Sequence, residues 1–130
     1  MTDSPGYHGA ALSGSDESRP LAGVRVLDLS RYVSGPACGR LLADLGADVV
    51  KVEPPGGDPS RAVRPHVEGR SLYFNQQNGG KRSLCIDFRA RGGAELIARL
   101  AARVDVLLEN FRPGVLARQA LDAATLLAQC

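Results

Sequence analysis

The stretch GVRVLDLSRYVSGPACGRLLADLGADVVKVE, residues 23–53, constrains the fold of this chain more than any other part of it. Val24, Val26, Leu27 and Leu29 form a short apolar run of strand length, the pattern of a strand buried on both faces. Gly35 supplies a tight turn, and Pro36 suits the first turn of a helix, where its missing N–H costs nothing. Ala37, Cys38, Leu41, Leu42 and Leu45 then recur at helical spacing, which predicts one apolar face with Arg40 and Asp44 opposite it. Gly46 fits the left-handed residue that ends such a helix, and the apolar run ADVVKVE follows at once. Strand, helix and strand within about thirty residues make a βαβ unit, whose crossover is right-handed.

The pattern returns downstream. RSLCIDF reads as a strand, and RGGAELIARLAARV places Leu96, Ile97 and Leu100 at helical spacing. VDVLLEN is a further strand, FRPGVLARQ a turn or short helix, and Asp122 caps a last helix through AATLLA. Strands alternating with helices predict an α/β fold with a mostly parallel sheet covered on both faces. In such sheets ligands gather outside the carboxyl ends of the strands. That makes the abrupt exit KVEPPGGDPSR, residues 51–61, the first place to look for a site.

Residues 1–19 are rich in Ser, Gly, Asp and Pro and are expected to form a disordered leader, since they bury too little to offset their ordering entropy. Residues 20–130 are expected to form one domain. Cys130 falls inside the last helix with no cap or closing strand after it, which reads as the N-terminal part of something longer. A net charge of +2 gives no reason to expect nucleic acid as a partner, and the interrupted apolar runs give none to expect a membrane. There is no signal-peptide layout, so a cytoplasmic location is expected. Cys38, Cys85 and Cys130 lack paired spacing, so reduced thiols are expected, with Cys38 and Cys85 as small core residues. No metal site is expected, because CxxC and His-rich clusters are missing, and His8 and His66 have no partner arrangement for acid–base work.

A nicotinamide dinucleotide site would need GxGxxG at the first turn, where the chain reads Ser34-Gly35-Pro36-Ala37-Cys38-Gly39 without the second glycine. A GxxxxGK[ST] phosphate loop is missing too. The stretch PLAGVRVLDLSRYVSGPACGRLLADLGADVVKVEPPGGDPSR, followed by YFNQQNGGKRSLCIDF and DVLLENFRPGVLAR, instead closely resembles the N-terminal part of the class III CoA-transferases, the formyl-CoA transferase and carnitine CoA-transferase family of CaiB/BaiF type. Three separated motifs in the right order cover residues 20 to 118.

That resemblance implies the N-terminal part of a Rossmann-like, CoA-binding domain within a larger fold in which two chains interlock as a homodimer. It implies acyl-CoA and a carboxylic acid acceptor as substrates, with coenzyme A as a substrate and no covalently bound cofactor. In the family an aspartate attacks the thioester, forms a mixed anhydride and releases CoA thiolate, before the acceptor acid takes over in turn. None of Asp87, Asp105 or Asp122 aligns with that nucleophile, which is expected beyond Cys130, so no catalytic residue is assigned and the chain alone is expected to be inactive.

Residue by residue, the resemblance places Arg89, Asn110, Phe111, Arg112 and Arg118 around the CoA nucleotide and phosphates, with Ile86, Asp87 and Phe88 on the same wall. Tyr32, Val33 and Ser34 match the turn near the thioester end. Arg61 and Arg64, in the loop after the second strand, are candidates for phosphate contacts through the guanidinium fork. Pro54 stands where formyl-CoA transferase has a phosphate-binding arginine, and Val33 where oxalate-handling members carry a glutamine. Lys81 and Arg82 read as structural: Lys81 closes a loop and Arg82 stands at a strand entrance. Two other readings are a 2-methylacyl-CoA racemase of the same fold and a non-catalytic interaction fragment. KVEPPGGDPSR and NGGKRS favour the transferases over the racemase.

Overall fold

The computed structural model describes residues 19–128 of the chain. In chain order its elements are β1 (Arg25–Asp28), α1 (Ser34–Asp44), β2 (Asp48–Glu53), the small hairpin β3 (His66–Val67) and β4 (Arg70–Ser71), α2 (Leu72–Asn78), β5 (Arg82–Cys85), α3 (Gly93–Ala101), β6 (Val106–Leu108) and α4 (Ala123–Leu127). Short 3-10 turns lie at Pro59–Ala62 and Ala117–Gln119. The expected leader, residues 1–19, lies outside the described residues apart from Arg19, as do the last two positions of the chain.

The main sheet is parallel throughout, in the order β5-β2-β1-β6. The chain therefore builds outward from β1 to β2 and β5, then returns to the opposite side of β1 to lay down β6. The strand order reverses between β1 and β6, and it is at such a reversal that an α/β sheet opens a crevice at its carboxyl edge.

Alternation along the strands sorts the core into two layers. Leu27, Leu29 and Val52 face Ile97 and Ala101 of α3 together with Phe88, Leu116, Leu121 and Leu126. Val26 and Val49 face Ala43 and Ala47 on the α1 side. Ile97 is fully buried at the centre of the larger layer, a burial that contributes about 1.5–3 kcal/mol. Leu96 beside it is turned outward. Asp122 caps α4 as its position predicts, accepting from the Thr125 N–H at 3.1 Å.

Helix α1 corrects the face predicted from apolar spacing. Its buried residues are Gly35, Pro36, Gly39 and Ala43, while Cys38, Leu41 and Leu45 are exposed. The reason is steric. A Cβ on Gly35 would lie 2.2 Å from Cβ of Ser30, and one on Gly39 would lie 2.9 Å from Oδ2 of Asp28. The helix approaches the strand ends so closely that small residues, rather than large apolar ones, must face them. Cys85 is likewise exposed on the edge strand β5, so neither cysteine is the core residue expected of it. The turn assigned to Gly35 falls instead at Tyr32, whose φ is 65°, and Gly35 is already helical.

The structure adds elements that apolar periodicity does not disclose. Ser71 caps α2 by accepting from the Phe74 N–H at 3.1 Å, and its own hydroxyl donates to the carbonyls of Ser60 and Val63. The hairpin and α2 together fold the loop after β2 back against α1.

Candidate functional site

The exit of β2 is a closed polar knot. Lys51 points to the α1 side of the sheet with 2% of its side chain exposed. Its ammonium donates to the Ser30 carbonyl at 2.8 Å and lies 3.0 Å from Oδ2 of Asp58. Oδ1 of Asp58 accepts from the Ser60 N–H, the Ser60 hydroxyl and, at 3.3 Å, the Tyr32 N–H. Glu53 accepts from the Asp58 N–H at 2.8 Å and takes both arms of the Arg61 guanidinium at 2.7 Å. Arg61 also sits 3.7 Å from the centre of the Phe74 ring.

A buried charge is tolerated only when paired and hydrogen-bonded, and each of these is. Burial would raise Glu53, but the Arg61 guanidinium and the Asp58 N–H outweigh it and hold the carboxyl below its usual 4.5. Burial would likewise raise Asp58, and the Ser60 donors with Lys51 bring it below its usual 3.8.

A second knot lies under α1. Lys81, with 1% of its side chain exposed, donates to Oδ2 of Asp28 at 2.7 Å, to the Pro36 carbonyl at 2.8 Å and to Oδ1 of Asn78 at 2.9 Å. Burial pushes the Lys81 ammonium down from its usual value, against the pull of Asp28. Gly39 leaves the space this pair occupies, since a Cβ there would also come within 3.0 Å of the ammonium nitrogen. Asp28 in turn accepts from the N–H and the hydroxyl of Ser30. Lys81 thus closes a loop, and Arg82, at the start of β5, pairs on the surface with Asp48 at 2.9 Å.

The exits of β1 and β6 are built differently. The Asn110 side chain clasps the backbone of Arg31: its Oδ1 accepts from the Arg31 N–H and its Nδ2 donates to the Arg31 carbonyl, both at 2.8 Å. Nδ2 also reaches Oγ of Ser34 at 3.3 Å. This clasp spans the reversal in strand order and shapes the rim where α1 begins. No side chain caps that helix, so its first N–H groups face the rim with their partial positive charge.

Two clefts meet at that rim. The larger, about 590 Å³, is lined by Arg31, Tyr32, Val33, Ser34, Asn110, Phe111, Arg112 and Val115. The smaller, about 240 Å³, is lined by Arg31, Phe88, Arg89, Phe111, Val115, Arg118 and Gln119. Phe111 stands between them, edge-on to Phe88 at 5.7 Å. Arg89 lies 3.5 Å from Asp87, whereas Arg31, Arg112 and Arg118 have no carboxylate partner among the described residues. Cationic side chains are thus grouped around an aromatic ring at a strand-order reversal, where guanidinium forks and a ring face complement oxyanions and flat rings in chemistry.

Of the residues singled out from sequence, the clefts gather Tyr32, Val33, Ser34, Phe88, Arg89, Asn110, Phe111, Arg112 and Arg118. Arg61 is engaged by Glu53 and Phe74 and lines neither cleft. Arg64 lines neither as well. Ile86 packs against the larger core layer and Asp87 accepts from the Arg89 N–H at 3.0 Å, and neither lines a cleft. Asn110 spends its amide on the clasp. Arg31 was not foreseen, although its place just after the first strand's acidic end is a signal that could have found it.

Comparison with known proteins extends this picture. The family model for CoA-transferase family III matches residues 21–129. Succinyl-CoA–D-citramalate CoA-transferase of Chloroflexus aurantiacus is 50% identical over 107 residues, covering 81% of this chain and 27% of that relative. Formyl-CoA:oxalate CoA-transferase of Bradyrhizobium diazoefficiens is 48% identical over 105 residues, covering 78% of this chain and 24% of its own length. Among solved structures, a CAIB/BAIF family protein from Brucella suis superposes with a TM-score of 0.79 at 47% identity, covering 85% of this chain and 30% of that one. The chain therefore spans about a quarter of the length of the curated relatives it matches.

Proposed function

The chain belongs to CoA-transferase family III, and from that premise we propose that its β1–β6 crevice binds the nucleotide part of coenzyme A for an acyl-CoA:carboxylate CoA-transferase. The observation that carries the reading is the meeting of two clefts around Phe111, with Arg89, Arg112 and Arg118 on their walls. A CoA molecule presents a flat base and several phosphoryl groups. Phe111 and Phe88 offer apolar ring surface for the former, and the arginines offer bidentate donors for the latter. Tyr32, Val33 and Ser34, at the uncapped start of α1, border the far end of the larger cleft, where the pantetheine arm would leave.

The transfer itself follows the family chemistry in this proposal. An aspartate carboxylate attacks the thioester carbonyl carbon, the C–S bond breaks, and the thiolate leaves with the electron pair. The thiolate then attacks the aspartyl carbonyl of the anhydride and expels the donor acid. The acceptor carboxylate displaces the thiolate from that aspartyl thioester, and the thiolate attacks the acceptor carbonyl of the new anhydride, which forms the product thioester and frees the aspartate. Among the described residues no aspartate lines either cleft. Asp28 and Asp58 are held in buried ion pairs, Asp105 pairs with Arg25, and Asp122 caps α4. The nucleophile is therefore assigned to the part of the family's length that this chain does not match, along with the acceptor site. A cytoplasmic homodimer completes the proposal.

Calorimetric titration of CoA and dephospho-CoA tests the reading. Wild type should bind, and Arg89→Ala and Arg118→Ala should each lose about 1.5–3 kcal/mol, the range for hydrogen bonds to charged groups. Arg99→Ala, on α3 away from the clefts, should bind as wild type does. Equal weakening in all three variants would reduce the site to a generic basic surface. Hydroxylamine trapping with acyl-CoA should leave no adduct on this chain, and an acylated Asp or Glu would overturn the assignment of the nucleophile.

A further inference from the structure

We propose that Arg31 is the oxyanion anchor at the junction of the two clefts, a ligand-binding residue for a phosphoryl or carboxylate group; this rests on the crevice being the ligand site. Arg31 lines both clefts, sharing that position with Phe111 and Val115. Its backbone is fixed on both sides by the Asn110 amide, with the N–H and the carbonyl each held at 2.8 Å. Its guanidinium lies 5.1 Å from the centre of the Phe111 ring, stacked rather than solvated at random. Yet it pairs with no carboxylate among the described residues, unlike Arg25, Arg40, Arg61, Arg82 and Arg89.

Those facts together describe a donor fork set against a ring at the junction of the two clefts and not engaged by a carboxylate among the described residues. The clasp fixes the backbone from which the side chain springs and the Phe111 ring gives the guanidinium a resting surface, so less freedom is lost on capture of an oxyanion. A ligand that reaches from one cleft into the other passes the three residues they share, of which Arg31 alone carries charge. The oxyanion has two possible sources, the diphosphate of CoA or the free carboxylate of an acid occupying the larger cleft. A planar fork meets both in the same bidentate way.

The test measures binding of CoA, of inorganic diphosphate and of succinate to the 130-residue chain and to Arg31→Met and Arg31→Lys, with melting curves for each. Met retains the stem against Phe111 and removes the charge, whereas Lys retains the charge and removes the fork. At least a tenfold weakening in Arg31→Met with an unchanged melting midpoint supports the anchor, and Arg31→Lys should fall between the two. Weakening for CoA and diphosphate assigns the anchor to phosphoryl groups, and weakening for succinate alone assigns it to a carboxylate. If wild type binds CoA and Arg31→Met binds every probe equally well, Arg31 is packing for Phe111 and the inference is overturned. If wild type binds no CoA, the failure belongs to the proposed function. In that case retained, Arg31-dependent binding of diphosphate or succinate would still support the anchor, and its absence would overturn that as well.

Discussion

The exits of β2 and β1 stand side by side on the same sheet edge, and they treat charge in opposite ways. Where β2 ends, Lys51 pairs with Asp58 and Arg61 with Glu53, and the Asp58 N–H ties the two pairs together. Where β1 ends, opposite β6, Arg31, Arg112 and Arg118 surround two clefts with no carboxylate partner among the described residues. The first arrangement is a brace, and the second is the crevice proposed as the receptor. Charge in a loop is thus no guide to binding until its partners are known, since an arginine already holding a buried carboxylate has its charge matched and one edge of its fork occupied.

The largest effect should come from breaking the second knot, the Lys81–Asp28 pair buried under α1 between the two exits. Lys81→Met leaves the Asp28 carboxylate, which is 0% exposed, without its counterion. Removing one partner of a buried pair costs about 3–5 kcal/mol, so chemical denaturation should show this variant largely unfolded or severely weakened. Retention of wild-type stability would mean that the pair contributes nothing and that the knot under α1 is misread.

Next comes the close approach that lets the two exits share a rim. Gly35→Ala places a methyl 2.2 Å from Cβ of Ser30, and both atoms are fixed to backbone. Helix and strand must separate, at about 1–3 kcal/mol for overpacking, and the Asn110 clasp should loosen with them. The variant should therefore lose stability and CoA affinity together. Loss of stability with affinity intact would detach the rim geometry from binding.

A smaller effect is expected from acid. Glu53 and Asp58 have folded pKa values held below their usual 4.5 and 3.8, so the unfolded chain binds protons first as pH falls. Their contribution is fully present above those usual values and is lost as pH drops through the lower folded ones. Melting midpoints followed from about pH 6 to about pH 3 should fall on the acid side, and Glu53→Gln should flatten part of that fall. A flat profile in wild type would show that the brace is not ionic.

Much of this was legible in the residues. The βαβ unit, the cap at Asp122, the structural role of Lys81 and the grouping of Phe111, Arg112 and Arg118 follow from spacing, turn chemistry or family motif. What was not legible depended on partners distant from the residue in question. The outward turn of Leu41 and Leu45 follows from Ser30 and Asp28 pressing on the glycines of α1, which apolar periodicity ignores. Arg61 reads as a phosphate ligand from its place in a basic loop, because sequence alone does not show that Glu53, eight positions earlier, turns back to take its guanidinium. Helix α2 escaped notice because its seven residues, LYFNQQN, carry too few apolar positions to show a helical period.

The contrast between brace and receptor reduces to two arginines, and one paired measurement tests it: CoA titration and thermal melting of Arg61→Ala beside Arg118→Ala. Arg118→Ala should weaken CoA by about 1.5–3 kcal/mol and leave the melting midpoint unchanged. Arg61→Ala, which strips the donor fork from the buried Glu53 carboxylate, should lower the midpoint by several degrees, about 4–8 °C for each kcal/mol lost, and bind CoA as wild type does below its melting range. The opposite pattern, with affinity lost at Arg61 and stability lost at Arg118, would move the site to the β2 exit and contradict the account.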